Sequence, residues 1–451
     1  MSDLFSNFPE ISSKQWKQKI QVDLKGADYN KTLIWDSPEG ISVKPFYHPD
    51  ENKTTNKSAT SFTFQNCQSI YVTNGIDANQ KALTALTKGA DSIQFIIENE
   101  DISVESLLQN LNLEEHKIFF QLHFLDSGFI SKIVAVKSNA GIYLNIDIIG
   151  NLARSGNWYH TLKKDHEILE DIVSKQSNFK SVLSVDLSLY QNAGANMVQQ
   201  LAYSMAQVNE YLNHFNNKIK KPILFHVSIG SNYFFEIAKL RAIRALYNTL
   251  VKEYNGPEEC HIFAFPTKRN KTIYDYNTNM LRTTTECMSA ILGSTNTICN
   301  MPYDAIYHKT NEFAERISRN QLLILKHESY FDQVINPSDG AYYIESITSE
   351  LAEKALLLFK DIEANGGFLK QLKDGTIQRK IKESATKEQE LFNSGKEVLI
   401  GTNKYPNAKD KMKDELELYP FVKTNKRKTL IEPIIEKRLA EAIEQERLNN
   451  E

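Results

Sequence analysis

Residues 182–229 decide the fold: they read VLSVDL (182–187), AGANMVQQLAYSMAQVNEYL (193–212) and ILFHVSI (223–229), with short polar joints between. The outer pieces have strand length and are rich in Val, Ile and Leu. In the middle piece Met197, Leu201, Met205, Val208 and Leu212 recur at steps of three or four, the period of a helix with one apolar face. The strands are apolar along most of their length, which suits a parallel sheet covered by helices on its faces.

The same alternation extends in both directions. Strand-like runs precede it at 69–74 (SIYVTN), 92–98 (SIQFIIE), 118–124 (IFFQLHF) and 142–149 (IYLNIDII), and follow at 260–266 (CHIFAFP) and 296–302 (NTICNMP). A second clear helix lies in FFEIAKLRAIRALYNTLV, where Phe234, Ile237, Leu240, Ile243, Leu246 and Leu250 share a face. The earlier connections are shorter and less helical. Eight strand–helix units match a (β/α)8 barrel, which takes about 250 residues, and the span from 69 to about 330 fits. An open doubly wound sheet is the alternative, and the count of eight favours closure.

The expected architecture is therefore α/β: an irregular N-terminal arm (1–65), a TIM barrel (66–335) and a helical C-terminal extension (336–451). The run DENKTTNKSATS before the first strand reads as an exposed loop. In the extension, the Pro337–Gly340 turn leads into a helix ended by Gly366-Gly367, and EKRLAEAIEQERLNN forms a last amphipathic helix.

Composition excludes several functions. Of 451 residues, 41% are hydrophobic and 24% charged, an ordinary globular balance. The 53 Lys and Arg against 56 Asp and Glu leave a net charge of -3, so no general attraction to nucleic acid or anionic membrane is expected. No run reaches the ~20 apolar residues of a membrane span. The first residues have no apolar signal core, so the chain is expected to be cytoplasmic. Cys67, Cys260, Cys287 and Cys299 form no C-x-x-C pair, which makes a zinc site unexpected. G-x-G and G-x-x-x-x-G-K-[ST] are both absent, so neither phosphate-cradling loop is encoded.

In such a barrel chemistry sits at the C-terminal strand ends. The candidates there are Asn145, Asp147, Asp186, Ser188, His226, Ser228, His261, Cys299 and Asp304. They form neither H-E-x-x-H nor a G-x-S-x-G elbow. His226, inside an apolar run, reads as a hydrogen-bonded core histidine, and Cys299 as a small buried hydrophobe. Tyr342 and Tyr343 read as core, and Asp275, Asn277 or Thr278 as helix caps.

Seven stretches in one order go further: WDSPEGISVKPFY (35–47), NAGANMVQQLAYSMA (192–206), FFEIAKLRAIRALY (234–247), YDYNTNMLRTTTE (274–286), FAERISRNQLLILKHES (313–329), NPSDGAYYIESITSELAEKALLLFKDIEANGGF (336–368) and LIGTNKY (399–405). Together they resemble the methylmalonyl-CoA mutase family. FPEIS, Trp16, DLKGADY and WDSPEG look most like its small-subunit branch. The resemblance implies a barrel that threads acyl-CoA along its axis. In catalytic chains it implies a further domain that brings adenosylcobalamin to the barrel's mouth, where the cofactor supplies radical chemistry.

Against that pattern this sequence departs wherever the motifs can be compared. The cobalt-ligating D-x-H-x-x-G is absent, and the sequence ends where that domain would begin. The S-G-Y-H segment before Ala193-Gly194-Ala195 reads DLSL, placing Leu189 where a histidine would donate to the thioester. Such a donor is worth ~10²–10³ in rate. The arginine of R-x-x-S-x-T-S-G-W falls on His261, and the histidine of S-L-H-T-N on Cys299. The R-Q-Y segment has no counterpart. Asp275, Asn279, Arg282, Thr283, Arg316, Arg319, Asn320, Pro337, Gly340, Tyr342 and Tyr343 are retained and look architectural. The resemblance thus implies a small subunit that is inactive alone and binds no cofactor itself. It would pair with a large subunit that carries adenosylcobalamin, the arm with Trp16 and Trp35 wrapping the partner. The alternatives are an active barrel that borrows a separate cobalamin-binding subunit, and a free-standing acyl-CoA-binding pseudoenzyme.

Overall fold

The computed structural model describes residues 9–51, 64–136, 141–423 and 426–451. Most of the DENKTTNKSATS run lies outside the described residues. Two short strands, β1 (Trp35–Asp36) and β2 (Ser42–Val43), pair antiparallel as a ribbon. Eight more form a closed, all-parallel barrel in chain order. They are β3 (Gln65–Tyr71), β4 (Ser92–Ile97), β5 (Lys117–Leu122), β6 (Ile142–Ile146), β7 (Ser181–Asp186), β8 (Leu224–Ile229), β9 (His261–Pro266) and β10 (Thr297–Ile298). The two-residue β10 closes the ring, pairing Thr297 with Gln65 on one side and with Phe263 on the other. All eight expected runs are strands. The first starts four residues earlier than its pattern, because Gln65-Asn66-Cys67-Gln68 has the composition of a loop.

The N-terminal segment is less irregular than expected, with α1 (Ser13–Asp23) and α2 (Tyr29–Leu33) ahead of the ribbon. Around the barrel come α3 (Gly75–Thr87), α4 (Val104–Leu108), α5 (Ser127–Val136), α6 (Ile148–Ser155), α7 (Leu162–Ser174), α8 (Leu187–Asn192), α9 (Met197–Phe215), α10 (Tyr233–Lys252), α11 (Thr278–Leu292) and α12 (Glu312–His327). The C-terminal part adds α13 (Tyr342–Ala364), α14 (Phe368–Lys373), α15 (Thr376–Asn393) and α16 (Glu441–Asn449). Among the described residues no helix is long and apolar enough to cross a membrane.

The core lies between sheet and helices. Ile93, Phe95 and Ile97 on β4, and Ile118, Phe120 and Leu122 on β5, point outward into it and are fully or nearly fully buried. Local chemistry sets the helix starts: Asn196 and Gln199 cap α9 reciprocally, each side chain bonding the other's backbone N–H at 3.0 Å. Just before that cap, Gly194 has φ +96°, and a Cβ there would stand 2.5 Å from Ala385 of α15. Glycine is required where the C-terminal part crosses the barrel.

Helix α13 lies across α9 and α10. Its docking is ionic as well as apolar: Arg241 on α10 meets Asp339 at 2.7 Å and Glu345 at 2.5 Å, both its own side chain and that of Glu345 being buried. The last helix departs from expectation. α16 begins only at Glu441, and its buried residues are Glu441 and Glu444, with Glu444 meeting Arg438 at 2.7 Å. A buried acidic face paired to arginine replaces the apolar stripe.

Removing one member of a buried ion pair leaves the others uncompensated, at about 3–5 kcal/mol. Arg241→Met is therefore expected to lower unfolding free energy by that amount in urea denaturation. A loss below about 1 kcal/mol would show that apolar packing alone holds α13.

Candidate functional site

Alternate strand residues point into the barrel lumen, and those from the strands' N-terminal ends to their middle are large; His261, expected at a C-terminal strand end, is instead the first residue of β9. Phe119 of β5 stacks on Tyr143 of β6 at 4.6 Å between ring centroids. Tyr143 meets His261 of β9 at 4.7 Å, and Phe119 meets Phe263 at 4.9 Å. His226 of β8 stacks on Phe263, also at 4.9 Å. Cys67, Leu224 and Cys299 complete this cluster. The axis is thus crossed by a layer of rings in mutual contact.

Burial governs the titrating groups of that layer. It pushes the Tyr143 hydroxyl up to about 12 and His226 down to about 4, the nearby Asp186 opposing the shift. His261 is held well below its ordinary value, first by burial and then by Lys117 and Arg244. Both imidazoles are neutral at pH 7. His261 shares a 3.0 Å hydrogen bond with Thr297 Oγ1. His226 is in the core as expected, but not through a hydrogen bond: it is held by stacking, and its Nε2 has no partner among the described residues. Asn145, on the lumen face of β6, likewise has both amide atoms unpartnered among them.

The mouth at the strands' C-terminal ends is polar and tied to its own chain. Asp147 caps α6. It accepts from Gly150 N at 2.7 Å, Gln207 Nε2 at 2.5 Å, Tyr211 Oη at 2.7 Å and Asp186 N at 3.2 Å. Burial pushes its carboxyl up to about 6, against those hydrogen bonds. Asp186 accepts from Ser188 N at 2.9 Å and pairs with Arg154. Arg154 also reaches Glu436, 3.1 Å away in the C-terminal segment. That segment is pinned over this side of the mouth through Ile434 N to Ala153 O, Lys437 N to Asn192 O and Leu439 N to Arg269 O. Ser228 is buried and donates to Gln191 Oε1 at 2.9 Å, which also accepts from Lys239, itself paired with Glu236 at 2.6 Å.

The remaining candidates scatter. Leu189 is fully buried on α8 in the outer core. Asp304 accepts from Asn311 Nδ2 at 2.8 Å. Asn277 occupies the α11 cap position without a side-chain cap bond; instead Thr278 Oγ1 donates to the Asp275 carbonyl at 2.7 Å. Tyr342 is not core, being 40% exposed, while Tyr343 packs on Phe234 at 5.5 Å. Sequence reasoning missed Arg154, Gln207, Tyr211 and Glu436, whose partners lie 32 to 282 residues away in the chain. The Glu236–Lys239 pair left one signal, two charges three residues apart within an apolar helix.

Two surface cavities, of about 680 and 450 Å³, lie outside the lumen. The first is walled by Trp158, Leu162, Leu430 and Ile431, and the second lies between α3 and α12. Among the described residues no group of three His, Cys, Asp or Glu is placed to hold a metal ion.

The pattern of the methylmalonyl-CoA mutase family matches residues 103–449. The chain belongs to that family. It is 33% identical to the methylmalonyl-CoA mutase small subunit of Porphyromonas gingivalis, over 92% of this chain and 73% of that protein. Identity is 26% to the methylmalonyl-CoA mutase of Rhizobium meliloti, over 91% and 66% of the two chains. It is 24% to the methylmalonyl-CoA mutase large subunit of Streptomyces virginiae, over 91% and 64%. The chain therefore spans about two thirds of the length of such relatives. Among solved structures, a dihydropteroate synthase from Stenotrophomonas maltophilia covers 59% of this chain and 93% of its own at 11% identity, with a TM-score of 0.34. A superposition of that quality adds nothing to the barrel traced above.

Adenosylcobalamin is implied by the family, and the three imidazoles on the barrel strands and at the end of β5 are not open to it. His226 and His261 are enclosed by Phe119, Tyr143 and Phe263, and His123 at the end of β5 is paired with Glu98 at 2.9 Å. No step through cobalamin is assigned to these residues.

A buried neutral histidine makes stability depend on pH with a definite sign. Folding holds His226 at about 4 against an ordinary 6.5. Its contribution is complete above about 6.5 and falls by about 3 kcal/mol as pH drops to 4. Asp147, raised from 3.8 to about 6, acts oppositely, its contribution being lost as pH rises through that range. His226→Phe should flatten the acid limb without loss of stability at pH 7, since it also removes an unpartnered nitrogen. Urea denaturation between pH 4 and 7 checks this, and an unchanged slope would contradict the burial of a neutral imidazole.

Proposed function

We propose that this chain is a non-catalytic small subunit of methylmalonyl-CoA mutase. Its partner is the large subunit, which carries adenosylcobalamin and interconverts methylmalonyl-CoA and succinyl-CoA in the cytoplasm. The observation that carries this reading is the ring layer of Phe119, Tyr143, His226, His261 and Phe263 across the axis along which catalytic relatives thread their acyl-CoA. A layer of rings across that axis supports a lumen closed to a pantetheine chain.

The three vestigial positions support it. Leu189 has no donor to offer a thioester and is fully buried. His261 is neutral where an arginine would clamp a phosphate, so the permanent charge is gone. Cys299 sits in the apolar cluster of the lumen. The alternative of an active barrel with a borrowed cobalamin subunit accounts for none of these.

In this reading residues 1–65 are a partner-wrapping arm, 66–335 a retained scaffold and 336–451 an extension that braces it. Support for the arm is the exposure of its apolar groups. No residue of α1 is buried. Trp16, 44% exposed, stacks on Phe46 at 4.3 Å within the same arm. Trp35, 47% exposed, meets Phe235 of α10 edge-on at 5.6 Å. Half-exposed tryptophans are common anchors of protein interfaces.

Turnover of methylmalonyl-CoA by this chain, by the large subunit and by the co-expressed pair, each with adenosylcobalamin, tests the assignment. The pair is expected to turn over and this chain alone to give none. Turnover by this chain with free cofactor would overturn it. Deleting residues 1–30 should weaken co-purification with the large subunit, and undiminished complex formation would exclude the arm's role.

A further inference from the structure

The larger surface cavity, of about 680 Å³, lies between the α6–α7 connection, the start of α7, Lys373 at the end of α14 and the C-terminal residues Leu430 and Ile431. Its volume is in the range of small-molecule sites. Trp158 in its wall is more than nine-tenths buried, at 8% exposure. The indole Nε1–H makes no hydrogen bond with any described residue, yet it is not among the side-chain atoms sealed from solvent. A buried tryptophan N–H ordinarily finds an acceptor, so the wall holds an accessible donor without one.

The acceptors of the same wall are already in use. Asn157 Oδ1 accepts from Leu430 N at 3.0 Å, and Thr161 Oγ1 accepts from Lys164 N at 3.2 Å. Lys373 is the only Lys, Arg, Asp or Glu in the lining, and it makes no ion pair among the described residues. The lining thus offers an open donor and an unpaired cation, with no carboxylate of its own to oppose an anion. Asp165, the buried acid of α7, is spent on Tyr159 N at 2.8 Å and His160 N at 3.0 Å. Basic side chains also flank the wall in the chain: Lys163 and Lys164 follow Leu162, and Lys426, Arg427 and Lys428 precede Leu430. Of the acids nearby in the chain, Glu167 meets Lys163 at 3.8 Å and Glu432 is held by Lys382, while Asp374 is exposed. The rest of the wall is apolar, and two of its side chains, Leu162 and Leu430, are left exposed beside the buried Ile431. An apolar ligand body would cover them.

We propose that this cavity binds a monocarboxylate with an apolar body. The carboxylate accepts from Trp158 Nε1–H and Lys373, and the alkyl or aryl part packs on Leu162, Leu430 and Ile431. The site is outside the lumen, away from the ring layer, and does not rest on the subunit assignment.

Sodium octanoate titrated into the full chain carrying Trp16→Phe and Trp35→Phe, which leaves Trp158 as the one tryptophan, tests it by indole fluorescence. With sodium chloride holding ionic strength constant, octanoate is expected to change the emission along a saturable curve. Acetate, which lacks the apolar body, and 1-octanol, which lacks the charge, should each need about tenfold more. In Lys373→Gln the half-saturating octanoate concentration should rise by about tenfold. Leu162→Glu puts a like charge into the wall and should abolish the change. Both positions are exposed, so neither variant endangers the fold. No saturable change, acetate or octanol as effective as octanoate, or a half-saturation unmoved in either variant would overturn the proposal.

Discussion

A closed barrel of eight parallel strands encloses a lumen that side chains must fill. Here Phe119, Tyr143 and Phe263, with His226 and His261 beside them, fill its middle. The ring closes through the short β10, which pairs at Thr297 and Ile298 and is extended by backbone hydrogen bonds of Asn296 and Cys299. The same rings fill the lumen at the level of the proposed acyl-CoA path, which is the packing feature on which the non-catalytic proposal rests.

Above the rings, the polar mouth has become a fastening. Asp147, Asp186 and Arg154 bind one another and Glu436 rather than standing free for a substrate. Beside the C-terminal end of β8, Lys239 and Glu236 neutralise each other in a fully buried pair. Groups that in an open site would titrate or bind are satisfied within the chain. The unpartnered atoms of Asn145 and His226 are what remains of a lumen with room for something polar.

Much of this was legible in the sequence. Eight apolar runs gave the strands, because a strand covered on both faces must be apolar nearly throughout. That same feature hid the lumen. In IFFQLHF, Phe119 faces the axis and Phe120 the helices, and two neighbouring phenylalanines carry no mark of which is which. The start of β3 was hidden for the opposite reason, since Gln65, Asn66 and Gln68 look like loop. Ion pairs such as Arg241–Glu345 and Arg154–Glu436 join residues far apart in the chain and leave no local pattern. The position of Leu189 was readable only through the resemblance, and its complete burial needed the structure.

The central claim is that the axis is closed to an acyl-CoA thread. Calorimetric titration of methylmalonyl-CoA into the isolated chain tests it most directly. The account predicts no binding heat at millimolar ligand. A saturable one-to-one isotherm, lost when the ligand is replaced by free methylmalonate, would contradict it and favour a barrel that still receives the ester.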